Sequence, residues 1–303
     1  MNNCFAKFKV LILFLFLLPS VTYTQHLFVQ RKEVRISSSF FYGSYKSVFD
    51  MDGERKLAPK TTHAGMNLSF TAGFHSRWNG MFNLPIIYNR VTGYNDPGGI
   101  SSEKKIMKPG DIEFGLKYLL VANEVWKSCI TGWQSLGTAK RDETTFLHTG
   151  YGDYNSRLYF DLNYVKSPKW MAGTYLGFNK RNKSNSDEVH GGITTSFLIT
   201  KNLFLDARGD LNYSLENQSK KPVNYELGLF HNNARWINVS GSMRYEMEKW
   251  FSGYVSYTAP IRGQYIFNTE IISIGITLKL SKQPAVESPI DSTTSYNQRF
   301  IIN

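Results

Sequence analysis

The residues able to do chemistry in this chain are scattered, and their spacing excludes more reactions than it supports. His75 and Ser76 are neighbours, the types needed for a nucleophile and its base. In a strand, adjacent side chains point to opposite faces, so the pair is not expected to act together. No Gly-x-Ser-x-Gly elbow and no His-Glu-x-x-His helix occurs. The six histidines (His26, His63, His75, His148, His190 and His231) lack metal-ligand spacing. Asp96-Pro97-Gly98-Gly99 reads as a turn and not as a phosphate cradle. No catalytic, cofactor-binding or metal-binding residue is assigned, and an enzyme is kept only as the most distant alternative.

A second class of chemistry is carried by charges at every other position. Asp111, Glu113 and Lys117 alternate with Ile112, Phe114, Leu116 and Tyr118. Arg157 and Asp161 alternate with Leu158, Phe160 and Leu162. Asp206, Arg208 and Asp210 alternate with Leu205, Ala207 and Leu211, and Ile272 to Leu280 alternate with Ser273, Gly275, Thr277 and Lys279. A period of two gives each strand one greasy and one polar face. The polar faces collect Glu113, Lys117, Arg157, Asp161, Glu188, His190, Asp206, Arg208, Asp210 and Arg244 as candidate lumen-lining residues, with Arg35 and Lys279 beside them. Cross-strand pairing of these charges predicts a mostly filled interior with a narrow path. Asp111 and the Asp206, Arg208, Asp210 set are the expected salt-bridge clusters.

The elements positioning them are long strands. Runs near 33–43, 64–74, 79–91, 110–121, 126–136, 153–165, 170–181, 188–199, 203–214, 235–245, 250–259 and 268–280 approach or exceed the roughly 9–11 residues of a tilted membrane strand. Short turns (His75–Arg77, Ala122–Val125, Lys166–Lys169, Thr200–Asn202, Glu246–Lys249) alternate with longer polar loops (Thr92–Pro109, Gly137–Gly152, Asn182–Asp187, Leu215–Ala234). Trp78, Trp126, Trp170 and Trp250 each follow a short turn, and Phe204 follows the fifth. Tryptophan favours the headgroup layer, so these four mark an interface girdle. The fold expected is all-β: a transmembrane antiparallel up-and-down β-barrel of about 12 strands, with 10 or 14 as alternatives. A short run at Asn224–Phe230 is assigned to a loop to keep the count even. A secreted β-sandwich is the soluble alternative.

The chain ends frame this barrel. Lys7 and Lys9, the apolar run Val10–Leu18 and small residues near Thr24 form a signal-peptide layout with cleavage near Thr24/Gln25. The expected division is a signal peptide at 1–24, a short N-terminal segment at 25–32, the barrel at 33–280 and a polar periplasmic tail at 281–303. Cys129 is then a lone thiol without a disulfide partner. The formal charge is +11, falling by two to +9 without Lys7 and Lys9. Export argues against a nucleic-acid partner, leaving outer-membrane lipids as the expected partner of the basic surface. A mean hydropathy of −0.32 does not count against a barrel with half-polar strands. The aromatic share of 15% suits one with two interfacial girdles.

Gly110-Asp111-Ile112-Glu113-Phe114-Gly115-Leu116-Lys117-Tyr118 resembles the strand signature of the phenol meta-degradation pathway transporter family. These barrels are distantly similar to the long-chain fatty-acid transporter type. Thr149-Gly150-Tyr151-Gly152-Asp153-Tyr154-Asn155, Gly177-Phe178-Asn179-Lys180-Arg181-Asn182 and Ser186-Asp187-Glu188 extend the likeness over about residues 105–215. The resemblance implies an outer-membrane channel or transporter for small molecules, hydrophobic ones included, of unknown identity. Gln25–Lys32 is too short for the lumenal hatch of the fatty-acid type. A non-conducting barrel acting as adhesin or structural anchor is the alternative.

Overall fold

The structure is a computed structural model describing residues 28–281 apart from 51, 96–100, 140–146, 148, 151, 153, 168, 183–185, 217–233, 249 and 265. The expected signal peptide at 1–24, residues 25–27, the expected tail beyond 281, Asp96-Pro97-Gly98-Gly99, Asn224–Phe230 and most of the expected 215–234 loop therefore lie outside the described residues.

Strands β1 (Glu33–Phe49), β2 (Arg55–His75), β3 (Trp78–Asn95), β4 (Ser101–Pro109), β5 (Glu113–Ala122), β6 (Trp126–Ser135) and β7 (Asn155–Ser167) lead into β8 (Trp170–Arg181). There follow β9 (Glu188–Leu198), β10 (Leu203–Ser214), β11 (Arg235–Glu248), β12 (Phe251–Gln264), β13 (Ile266–Phe267) and β14 (Glu270–Ser281). β4 and β5 both pair with β3 and form one stave broken at residues 110–112. β13 and β14 both pair with β1 and form another. The result is twelve antiparallel staves, closed because β1 bonds to β14 on one side and to β2 on the other. Closure leaves no free sheet edge, which lipid would not tolerate.

Burial follows the pleat in an inverted sense. Leu116, Leu158, Leu176, Ile193, Ile237, Ile272 and Ile274 project outward and exposed, whereas Lys117, Asn79, Asp161, Asp206 and Arg181 are buried. A soluble barrel or sandwich would bury the first set; only an apolar solvent makes this arrangement economical.

The strands reach further than periodicity predicts on the long-loop side. β1 and β2 pair as far as Phe49↔Arg55. Part of the expected 92–109 loop is β4, paired to β3 through Asn95↔Ser101. Ser101–Pro109 is lysine-rich, with no alternating apolar face to signal a strand; its ladder to β3 is backed by the Arg90–Glu103 ion pair at 2.6 Å. Val91, Ile106 and Leu147 form a small buried cluster on this extension.

Asp111 belongs to this end as well. Its Oδ1 accepts from Ala139 N (2.9 Å) and its Oδ2 from Gly152 N (3.2 Å). The carboxylate pins the 136–154 connection by backbone N–H groups.

Candidate functional site

The inward faces of β2, β3 and β5–β11 enclose a chamber of about 250 Å³ in the barrel interior. Its wall includes Asn67, Asn83, Glu113, Trp133, Arg157, Tyr159, Tyr175, His190, Arg208 and Trp236. Glu113, Arg157, His190 and Arg208 were marked by their polar faces. Tyr159 falls on the same alternate face as Arg157 and Asp161 in the sequence pattern, but Trp133, Tyr175 and Trp236 do not stand out, because alternation registers a tryptophan or tyrosine as apolar wherever it points. The readable signal was position: Trp133 and Tyr159 share a face with Cys129, Thr131, Arg157 and Asp161, inward by register.

Small residues opposite these rings keep the chamber open. Trp133 is paired with Gly115, Tyr159 with Gly177 and Tyr175 with Gly192. A Cβ on Gly115 would sit 2.8 Å from the Trp133 ring, and at Gly177 or Gly192 it would meet the tyrosine ring closer still. Each ring thus lies against the neighbouring stave instead of projecting toward the barrel axis.

The charges are paired locally. Arg157 hydrogen-bonds Glu113 and has its guanidinium 6.0 Å from the Trp133 ring centre. Arg208 Nε contacts Asp210 Oδ1 at 2.6 Å, its Nη2 donates to Tyr175 Oη at 3.1 Å, and Tyr175 donates to Asp210. Glu188 gathers Arg181 Nη1 (2.5 Å), Asn179 Nδ2 (3.0 Å) and Asn212 Nδ2 (3.4 Å), with His190 Nε2 at 3.4 Å.

Below the chamber, toward the short turns, the interior is packed. Asp206 accepts from Ser196 Oγ (2.5 Å) and Ser242 Oγ (3.2 Å), and faces Arg244 Nε at 3.5 Å. Within the expected Asp206, Arg208, Asp210 set, Asp206 meets Arg244 across the ladder while Arg208 takes Asp210 along its own strand. Arg244 Nη1 also contacts Glu246 Oε1 at 2.5 Å, and its guanidinium carbon lies 4.1 Å from the Phe204 ring centre. Phe204 is buried, so it does not continue the tryptophan series. Lys117 is fully enclosed, with Asp161 as an electrostatic partner, and Asp161 accepts from Thr131 Oγ1 at 3.3 Å.

The N-terminal segment enters this packed region. Val29 is 1% exposed and Asn79 0%, and the two are hydrogen-bonded through the Val29 backbone. Gly73 makes room for the crossing, since a Cβ there would collide with Gln30 O.

On the outer surface Trp78, Trp126, Trp170 and Trp250 are 39%, 42%, 37% and 55% exposed at the short-turn end. Trp78 stacks near Tyr118 (4.7 Å), and Tyr164 lies between Trp126 (4.8 Å) and Trp170 (5.7 Å). At the first short turn His75 Nδ1 comes within 3.4 Å of Ser76 Oγ. The turn overrides the strand rule that separated them, but His75 Nδ1 also accepts from Arg77 N, and no carboxylate pairs with His75 among the described residues. No cluster of three metal-ligating side chains forms among the described residues.

No family model and no curated protein matches the chain. Solved structures do. The COG4313 outer membrane channel from Pseudomonas putida F1 superposes with a TM-score of 0.69 at 10% identity, over 86% of this chain and 100% of that chain. The NanC porin superposes with a TM-score of 0.51 at 9% identity, over 81% of this chain and 100% of that chain. The fold is that of an outer-membrane barrel, as the strand motifs implied.

Proposed function

We propose that the chain is an outer-membrane channel for small molecules. The carrying observation is the inverted barrel, apolar outside, with a polar chamber enclosed by nine strands. Twelve staves leave more room than eight, whose interior side chains can fill, and glycines opposite the aromatic rings preserve that room. Glu113, Lys117, Arg157, Asp161, Glu188, His190, Asp206, Arg208, Asp210 and Arg244 line the path as paired charges. Trp78, Trp126, Trp170 and Trp250 seat the short-turn rim in the periplasmic headgroup layer, and outer-membrane lipids solvate the rest. Export by a signal peptide cleaved near Thr24/Gln25 delivers the chain there. A hydrophobic cargo, as the resemblance implies, would meet a wall in which Met81, Trp133 and Trp236 stand among polar and charged side chains.

The second reading, a non-conducting adhesin or anchor, is favoured by one observation: the interior is packed around Val29, Asn79 and Lys117. Swelling of proteoliposomes in small neutral solutes separates the two. A channel swells them at a rate falling with solute size; an anchor leaves them like protein-free vesicles.

A further inference from the structure

The chamber has unfinished hydrogen bonding. Trp133 Nε1, Arg157 Nε, Asn67 Oδ1 and Asn83 Oδ1 are buried and have no hydrogen-bond partner among the described residues, and all four residues line it. Two are donors and two are acceptors. Trp133 as a whole is 8% exposed, so its N–H is unpartnered in a nearly closed setting, where a lost hydrogen bond costs most. The arginines of the wall already have carboxylates, Glu113 for Arg157 and Asp210 for Arg208.

We infer that the chamber is a binding site for a small neutral polyhydroxylated molecule, a sugar or polyol. This deepens the channel reading and rests on it for its role in passage. A hydroxyl both donates and accepts, so one ligand class satisfies Trp133, Arg157, Asn67 and Asn83 together. An anion would meet no uncompensated cation, would face Glu113, and would leave the two amide oxygens without a donor. A hydrocarbon would leave all four groups unpaired. The rings of Trp133, Tyr159 and Tyr175, laid along the wall, offer flat apolar surface to the C–H face of a sugar ring. The volume of about 250 Å³ suits a single ring better than a chain.

The test uses the full mature protein refolded in detergent, with glucose, benzoate and toluene as separate probes and saturation-transfer NMR as the readout. Glucose is expected to bind. Trp133→Phe, which keeps the ring and removes the donor, is expected to weaken it about ten-fold, as loss of one well-made hydrogen bond does. Asn83→Leu is expected to weaken glucose to a similar degree. Heat-dependent gel mobility establishes that each variant is a folded barrel. Failure of glucose to bind, equal affinity in wild type and both variants, or displacement of glucose by benzoate or toluene overturns the proposal. Glucose binding without solute passage sinks the channel reading alone, and passage without glucose binding sinks this proposal alone.

Discussion

Asn79 grips the Val29 backbone at both of its polar groups: Val29 N donates to Asn79 Oδ1 at 2.8 Å, and Asn79 Nδ2 donates to Val29 O at 2.7 Å. A β3 side chain thereby fixes a segment that precedes the first strand, inside the wall rather than beneath it. Each bond contributes roughly 0.5–1.5 kcal/mol. Asn79→Ala should lower the population of the clasped state by about ten-fold or more and raise conductance through the short-turn mouth. Equal conductance in Asn79→Ala and wild type would remove the segment from the permeation path.

The seat of Tyr159 against Gly177 makes a prediction of opposite sign. Gly177→Val should push the ring toward the axis and narrow the chamber, lowering conductance. Adding Tyr159→Leu to Gly177→Val should restore it. If the double variant conducts no better than Gly177→Val, the ring is not what occupies the path.

The glycine and ring pairs show where sequence reading stops. Alternation located all twelve staves because each needs one apolar face for lipid, while parity favoured twelve and left ten or fourteen as alternatives. The direction of the polar faces was legible for the same reason. Gly115 and Trp133 are different: 18 residues separate them, and only the register of β5 on β6 brings them together. The clasp of Asn79 was equally hidden, since a single asparagine on an inward face says nothing of which backbone it holds. Missed too were the long-loop ends of β1–β4, where buried side chains such as Phe49, Val91 and Ile106 are too few and irregular to form an alternating pattern.

Arg181 and Glu188 are 0% and 2% exposed at their side chains and meet at 2.5 Å. Breaking a buried pair from one side strands the other charge and costs about 3–5 kcal/mol. Arg181→Met should therefore lower the thermal unfolding midpoint of the refolded barrel markedly, and Arg181→Met with Glu188→Leu should recover most of the loss. A small effect for Arg181→Met alone would mean that Asn179 and Asn212 suffice to hold the carboxylate.

The lipid-facing assignment predicts a gradient with depth. Ile274 lies within β14, and Leu280 is close to its short-turn end; both are exposed. Arginine at Ile274 should cost about 2–4 kcal/mol, and at Leu280 about 0–1 kcal/mol, measured by denaturant unfolding in lipid vesicles. Equal costs would mean that the barrel sits at another height in the bilayer.

Topology is tested in a Cys129→Ser background on sealed cells with an impermeant maleimide. Glu54 in the β1–β2 hairpin and Ser76 in the β2–β3 turn are both exposed and stand at opposite ends of the barrel. Glu54→Cys should label at once, and Ser76→Cys only after the outer membrane is opened. The reverse pattern would invert the barrel and move Trp78 and its companions to the outer leaflet.

The central claim, that molecules pass through this barrel, is tested most directly by single-channel recording of the refolded mature protein in a planar bilayer, wild type beside Asn79→Ala. Discrete current steps are predicted in the wild type, with larger or longer-lived steps in Asn79→Ala as the Val29 segment is released. A silent bilayer for both proteins, with each shown to be inserted and folded, would contradict the claim and leave the packed interior as that of an anchor.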